Sequence, residues 1–95
     1  MSGWVLSEVP AVEAGVVTFT PDDGSDMVVF QEATGGVHLL SGSSSLLWAS
    51  IDGARSAGEV AGVLAGVCGV PVAVVESDVL AALDEMLALR LVCSR

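Results

Sequence analysis

Cys68, Cys93 and His38 are the side chains of this chain best suited to nucleophilic, redox or metal chemistry, and nothing surrounds them with partners. A structural zinc site needs four ligands at short spacings, and the two cysteines stand far apart with one histidine in the whole chain. No metal site is expected, and both cysteines read as small apolar groups, buried or half-buried. No Ser/His/Asp constellation or phosphate-cradling glycine loop appears, and a lone histidine is not a catalytic pair. The expectation is a chain with no catalytic residues and no cofactor, one that binds rather than reacts.

The charge balance narrows what it can bind. Aspartate and glutamate number 12 against 3 lysines and arginines, a formal net charge of -9. Phosphate contacts need a basic footprint, so a nucleic-acid partner is opposed. Disorder is opposed as well, because 53% of the residues are hydrophobic and 16% charged. A chain of 95 residues makes one small domain. A domain of that size covers only roughly 60% of the surface its unfolded chain exposes, so apolar surface is left for a partner. The mean hydropathy of +0.75 raises the question of a membrane span. The uncharged apolar stretch 60–75 is too short for one, and Gly69 and Pro71 interrupt it. Met1-Ser2-Gly3-Trp4 lacks the basic start of a secretory signal, so a cytoplasmic protein with no membrane partner is expected.

The elements that must position any binding site can be read from turn residues and periodicity. Val16-Val17-Thr18-Phe19-Thr20 is β-branched and aromatic and runs into the turn cluster 21–26. Met27-Val28-Val29-Phe30-Gln31-Glu32 reads as a second strand, stopped by Thr34-Gly35-Gly36, and Val37-His38-Leu39-Leu40 as a third. Trp4-Val5-Leu6 is a candidate short extension. After Leu40 the period becomes helical. Ser41 or Ser43 is the expected cap of a helix through Ile51, with Leu47, Trp48 and Ile51 on one face and Asp52-Gly53 ending it. Ser56-Ala57-Gly58-Glu59 is a capping box, and Val60, Val63, Leu64 and Val67 keep helical spacing until Gly69 and Pro71. A third helix is expected over 77–90, capped by Ser77, with Asp78 in its first turn and Arg90 in its last. The reading is an α+β domain over 15–93, three antiparallel strands followed by three helices, preceded by an N-terminal segment over 1–14.

From Val37 onward the chain resembles the PqqD family. The resemblance is carried by Leu40-Ser41, Leu47-Trp48, Asp52-Gly53-Ala54-Arg55-Ser56, Glu59-Val60, Asp78-Val79 and Leu91-Val92, in that order and spacing. Ser41 stands where the family usually has Asn, and Arg90 where it usually has Gly. The resemblance implies a winged helix-turn-helix fold that acts as a RiPP recognition element. Such a module holds the leader of a ribosomally synthesised precursor peptide for a modifying enzyme in natural-product biosynthesis, whether a radical enzyme, a lasso protease and cyclase pair, or a kinase-like system. The leader is expected to lie as an extra strand against the third strand, walled by the third helix. Main-chain hydrogen bonds then give affinity and alternating side-chain pockets give selectivity.

This makes Val37, His38, Leu39 and Leu40 the candidate peptide edge, since an unpaired strand edge is a template for another chain. The plainer account is that they only complete the sheet. On the third helix Val79, Leu83 and Met86 form the core stripe. Leu80, Asp84 and Leu87 form an adjacent stripe and are the candidate groove wall; the flank with Ala82 and Leu89 competes with it. Glu76, Asp78, Asp84 and Glu85 make a solvated acidic face, or one that steers a basic partner. Two other readings stand beside leader binding. One is a structural adaptor of a biosynthetic enzyme complex that binds no leader. The other is a winged-helix DNA regulator, which the residues of 77–90 oppose, because they offer one arginine against three acids.

Overall fold

The computed structural model describes residues 4–20 and 26–95; Met1, Ser2, Gly3 and positions 21–25 of the expected turn cluster lie outside the described residues. The chain runs β1 (Pro10–Val12), β2 (Val16–Phe19), β3 (Met27–Gln31), β4 (Gly36–Leu40), α1 (Ser43–Ser50), α2 (Ala57–Cys68), α3 (Val72–Ala88) and β5 (Val92–Ser94). β2, β3 and β4 form an antiparallel meander in that order, and three helices come after it, the α+β winged helix-turn-helix arrangement. β1 pairs with β5 in a second, two-stranded sheet.

The inner face of the meander and the three helices share one core. Val29 and Leu40 come from the sheet, Leu47 and Trp48 from α1, Val60, Ala61 and Leu64 from α2, and Val79, Leu83 and Met86 from α3. Small residues let the helices approach: Ala57, Ala61 and Ala65 recur at four-residue spacing on the buried stripe of α2. The Trp48 indole Nε1 donates to Thr18 Oγ1 at 2.9 Å, which ties α1 to β2.

The caps divide into those the sequence announces and those it hides. The capping box at α2 is complete: Ser56 N donates to Glu59 Oε1 at 2.9 Å, and Glu59 N to Ser56 Oγ at 3.2 Å. The Ala57 and Gly58 N–H groups donate to Glu8 O and Leu6 O, so the N-terminal segment satisfies the next donors of the same helix. Asp52 Oδ1 accepts from Ala54 N and Arg55 N, both at 2.9 Å, in the turn between α1 and α2. Those two N–H groups, Arg55's first, hold the Asp52 carboxyl below its ordinary range. The turn is therefore strengthened above the usual carboxylate pKa, and that contribution is lost as pH falls through the lowered folded value. Gly53 comes next at φ 75°, a conformation that glycine adopts without steric cost.

Three sequence expectations are corrected. Helix α1 is capped by Gly42 rather than Ser41 or Ser43, with no side-chain cap bond. Helix α3 spans Val72–Ala88, so Ser77 and Asp78 lie inside it and Pro71 is its N-cap. The β-branched run from Val72 has low helix propensity, but Val75 and Val79 both reach the core, and that packing outweighs propensity. Trp4-Val5-Leu6 is not a strand; Trp4 is a buried core residue, and the added strand is β1.

Arg90 lies beyond α3 rather than in its last turn, with φ 60° in the left-handed region. That is the conformation glycine serves after a helix, which accounts for the glycine expected there by resemblance. Gln31, 1% exposed, is the buried polar side chain among the described residues. Its Nε2 donates to Arg90 O and its Oε1 accepts from Ala33 N, so β3 is fastened to the turn between α3 and β5. Replacing Arg90 by Gly removes the steric penalty while keeping the carbonyl, and chemical denaturation is expected to show a gain of about 0.5–1 kcal/mol. Gln31→Leu keeps the volume but removes both part-buried hydrogen bonds, and the expected loss is about 1 kcal/mol.

Candidate functional site

Strand β4 is hydrogen-bonded to β3 along one side, in the register Met27 to Leu40, Val28 to Leu39, Val29 to His38 and Phe30 to Val37. Its other edge pairs with no strand among the described residues. In an antiparallel ladder alternate residues turn both backbone groups outward, so this edge offers donors and acceptors to an incoming strand. The four edge residues divide by face. Val37 and Leu39 project from the outer face of the sheet, 64% and 68% exposed, while Leu40 is buried in the core. His38 is half-buried on the inner side, and its ring lies over Gly36, where an added Cβ would come within 2.8 Å of Nε2.

Helix α3 presents two flanks beside its core stripe of Val79, Leu83 and Met86. On one, Leu80 is partly buried against the core, Asp84 is half-buried and Leu87 is exposed. The other, about 170° around the helix axis by helical geometry, carries Val75, Asp78 and Ala82. An open cavity of about 230 Å³ lies against this second flank. Leu47 of α1 and Leu64 of α2 contribute to its apolar lining, and Ser43 and Ser44 border it three and four residues beyond the end of β4. Asp78 is the charged residue of the lining. This is the flank of Ala82 that competes in the sequence with the Leu80 flank; residue types alone miss Val75 and Asp78 as members of it, because Ser77-Asp78 looks like a helix start. With the helix begun at Val72, positions 75, 78, 79 and 82 fall on one face by ordinary i, i+3, i+4, i+7 spacing.

The cysteines also separate. Cys68 is exposed at the end of α2 and borders the cavity, contrary to the buried or half-buried position expected of it. Cys93 is half-buried in β5, and burial, then the Glu13 carboxylate, pushes its thiol up. No helix among the described residues is long and apolar enough to cross a membrane.

The family model for coenzyme PQQ synthesis protein D, PqqD, matches residues 26–92, from the residue before β3 to the start of β5. The chain belongs to the PqqD family. A solved structure with the same fold is the PqqD truncation of the Methylobacterium extorquens PqqCD protein, described as a functional, stand-alone RiPP recognition element. The two align with a TM-score of 0.78 at 19% identity, over 97% of this chain and 96% of that one. No curated protein matches the chain. The PqqD match takes in β4, α1, α2 and all of α3, so the unpaired edge and both flanks of α3 belong to the family's shared region, whereas β1 and β2 precede it.

Thiol chemistry provides a direct check on the cavity's surroundings. A raised pKa leaves less thiolate at a given pH, and the thiolate is the reactive form. At about pH 8 a small disulfide reagent is expected to modify Cys68 at least ~10-fold faster than Cys93. Single Cys68→Ser and Cys93→Ser variants assign the two phases.

Proposed function

We propose that this PqqD-family domain binds the leader of a ribosomally synthesised precursor peptide by strand addition to β4 and presents it to a modifying enzyme. The observation that carries the reading is the unpaired edge of β4. Family membership and the shared fold of a described recognition element support it. The leader's main chain pairs with the edge of Val37, His38, Leu39 and Leu40. A disordered leader gives up about 2–5 kcal/mol on ordering, and apolar side chains entering a groove beside the strand offset that cost. The domain supplies binding and orientation, and the chemistry belongs to its partner, of which a radical enzyme, a lasso protease and cyclase pair, or a kinase-like enzyme are the candidate classes.

Two walls are available for the groove. The first is Leu80, Asp84 and Leu87. A second reading is favoured by the cavity: the leader's anchoring side chain enters between the start of α1 and the Val75, Asp78 and Ala82 flank of α3. On either wall a carboxylate, Asp84 or Asp78, favours a basic residue beside the apolar anchor, so binding weakens as salt rises.

Titration of the labelled domain with the leader of the precursor encoded beside it tests the proposal. Shifts of the amide signals at 37–40 are expected, and their absence at saturation, or the absence of any binding, favours the structural-adaptor reading. Two substitutions distinguish the walls. Ala82→Phe fills the cavity and weakens binding roughly 10-fold or more if the anchor sits there, whereas Leu87→Lys does so if the anchor lies on the Leu80 flank. Retardation of a DNA fragment at ordinary salt would restore the regulator reading.

A further inference from the structure

Hydrogen-bond alternation in the meander fixes which residues of β4 can meet an added strand. Glu32 N donates to Gly15 O at 3.1 Å, and these two residues lie opposite each other when the β2 to β3 register is extended by one step. Directly opposed residues joined in this way form a hydrogen-bonded pair, and such pairs alternate along an antiparallel ladder. The backbone groups of Phe30 and Val28 therefore face β2, and those of Gln31, Val29 and Met27 face β4. His38 and Leu40, opposite Val29 and Met27, turn theirs inward to β3. The N–H and C=O groups left for a new strand are those of Val37 and Leu39.

The same two residues carry their side chains on the outer face of the sheet, 64% and 68% exposed. There they end two apolar rows: Val17, Phe30 and Val37 in one, and Phe19, Val28 and Leu39 in the next. Asp26 and Glu32, exposed just beyond the two ends of β3, fall on this face by alternation and bound the rows with carboxylates.

We infer that Val37 and Leu39 select the leader's sequence from the outer face, as cross-strand partners of two apolar leader residues at positions i and i+2. This rests on the strand-addition reading and adds to it a class of leader sequence and two specificity-determining residues. A strand in register with β4, running in either direction, places the residues beside Val37 and Leu39 on the outer face, where each lengthens one apolar row by a member. The residue between them turns to the inner face beside His38, on the side of the helices, and is the one that reaches the groove. β-Branched and aromatic side chains fit the two outer positions best. Acidic ones are opposed there by Asp26 and Glu32.

The test uses the full chain and the leader of the precursor encoded beside it. At saturation the amide exchange of Val37 and Leu39 is expected to slow at least ~10-fold, with a smaller change at His38, which is already bonded to β3. Val37→Lys and Leu39→Lys are each expected to weaken binding at least ~10-fold, whereas Phe19→Lys, with the same charge change on the same face but two strands from the edge, alters it less than ~3-fold. A leader carrying Glu at the position paired with residue 39 is expected to bind the Leu39→Lys variant roughly 5-fold tighter than the parent chain. Unchanged circular dichroism spectra show that the variants fold. Slowed exchange at 37 and 39 with affinity indifferent to both β4 substitutions overturns the inference and leaves strand addition standing. Equal losses from Phe19→Lys also overturn it, because charge or the β2 edge would then be responsible. No slowing at either amide overturns strand addition and this inference together.

Discussion

Gln31 is withdrawn from water at the end of β3, and its carboxamide is satisfied only while the adjoining hairpin and one distant turn of the chain stay in place. Its Nε2 donates to the carbonyl of Arg90, beyond α3, and its Oε1 accepts from Ala33 in the hairpin that leads into β4. A buried amide without such partners costs a few kcal/mol, so the hairpin and the turn after α3 are held in a single arrangement. One side chain thereby sets the start of β4 relative to the end of α3. The other end of the same relation is set by covalent proximity, because α1 begins at Ser43, just after β4 ends at Leu40, and its first residues border the cavity against α3.

The proposed function is divided between a fastened frame and an open edge. The α2 capping box, the Ala57, Ala61 and Ala65 stripe and the β1 to β5 pairing hold helices and termini together. Against that frame β4 keeps a row of backbone groups facing no strand among the described residues. A rigid edge loses little entropy when a peptide joins it, so the ordering cost falls on the peptide. The acidic character of the chain acts at longer range: it opposes nucleic acid and, under the proposed function, favours a leader with basic residues.

Much of this fold is legible in the sequence, and the parts that are not have a physical cause. Turn clusters and β-branched runs locate the three strands of the meander, and Ser56 with Glu59 locates the start of α2, because those signals are local. β1 and β5 escape notice because each has three residues and their pairing joins opposite ends of the chain. The start of α3 is hidden because Ser77-Asp78 imitates a cap while Val72 to Val75 looks non-helical, and only the packing of Val75 and Val79 into the core decides the matter. Val37 to Leu40 can be read as a strand from residue types. The cavity beside Ala82 cannot, since it is formed by three helices whose approach no local pattern records. The apolar outer face is present in the unbroken run Met27-Val28-Val29-Phe30, which lacks the polar alternation of a half-exposed strand.

The central claim, that a leader peptide adds as a strand to β4, is tested most directly by isotope-filtered nuclear Overhauser spectroscopy on the domain bound to its unlabelled leader. Strand addition predicts a ladder of contacts between leader backbone protons and those of residues 37–40, repeating every second residue as β-pairing requires. A bound leader that shows contacts only to helices or to the outer sheet face, with no backbone ladder at β4, would contradict it.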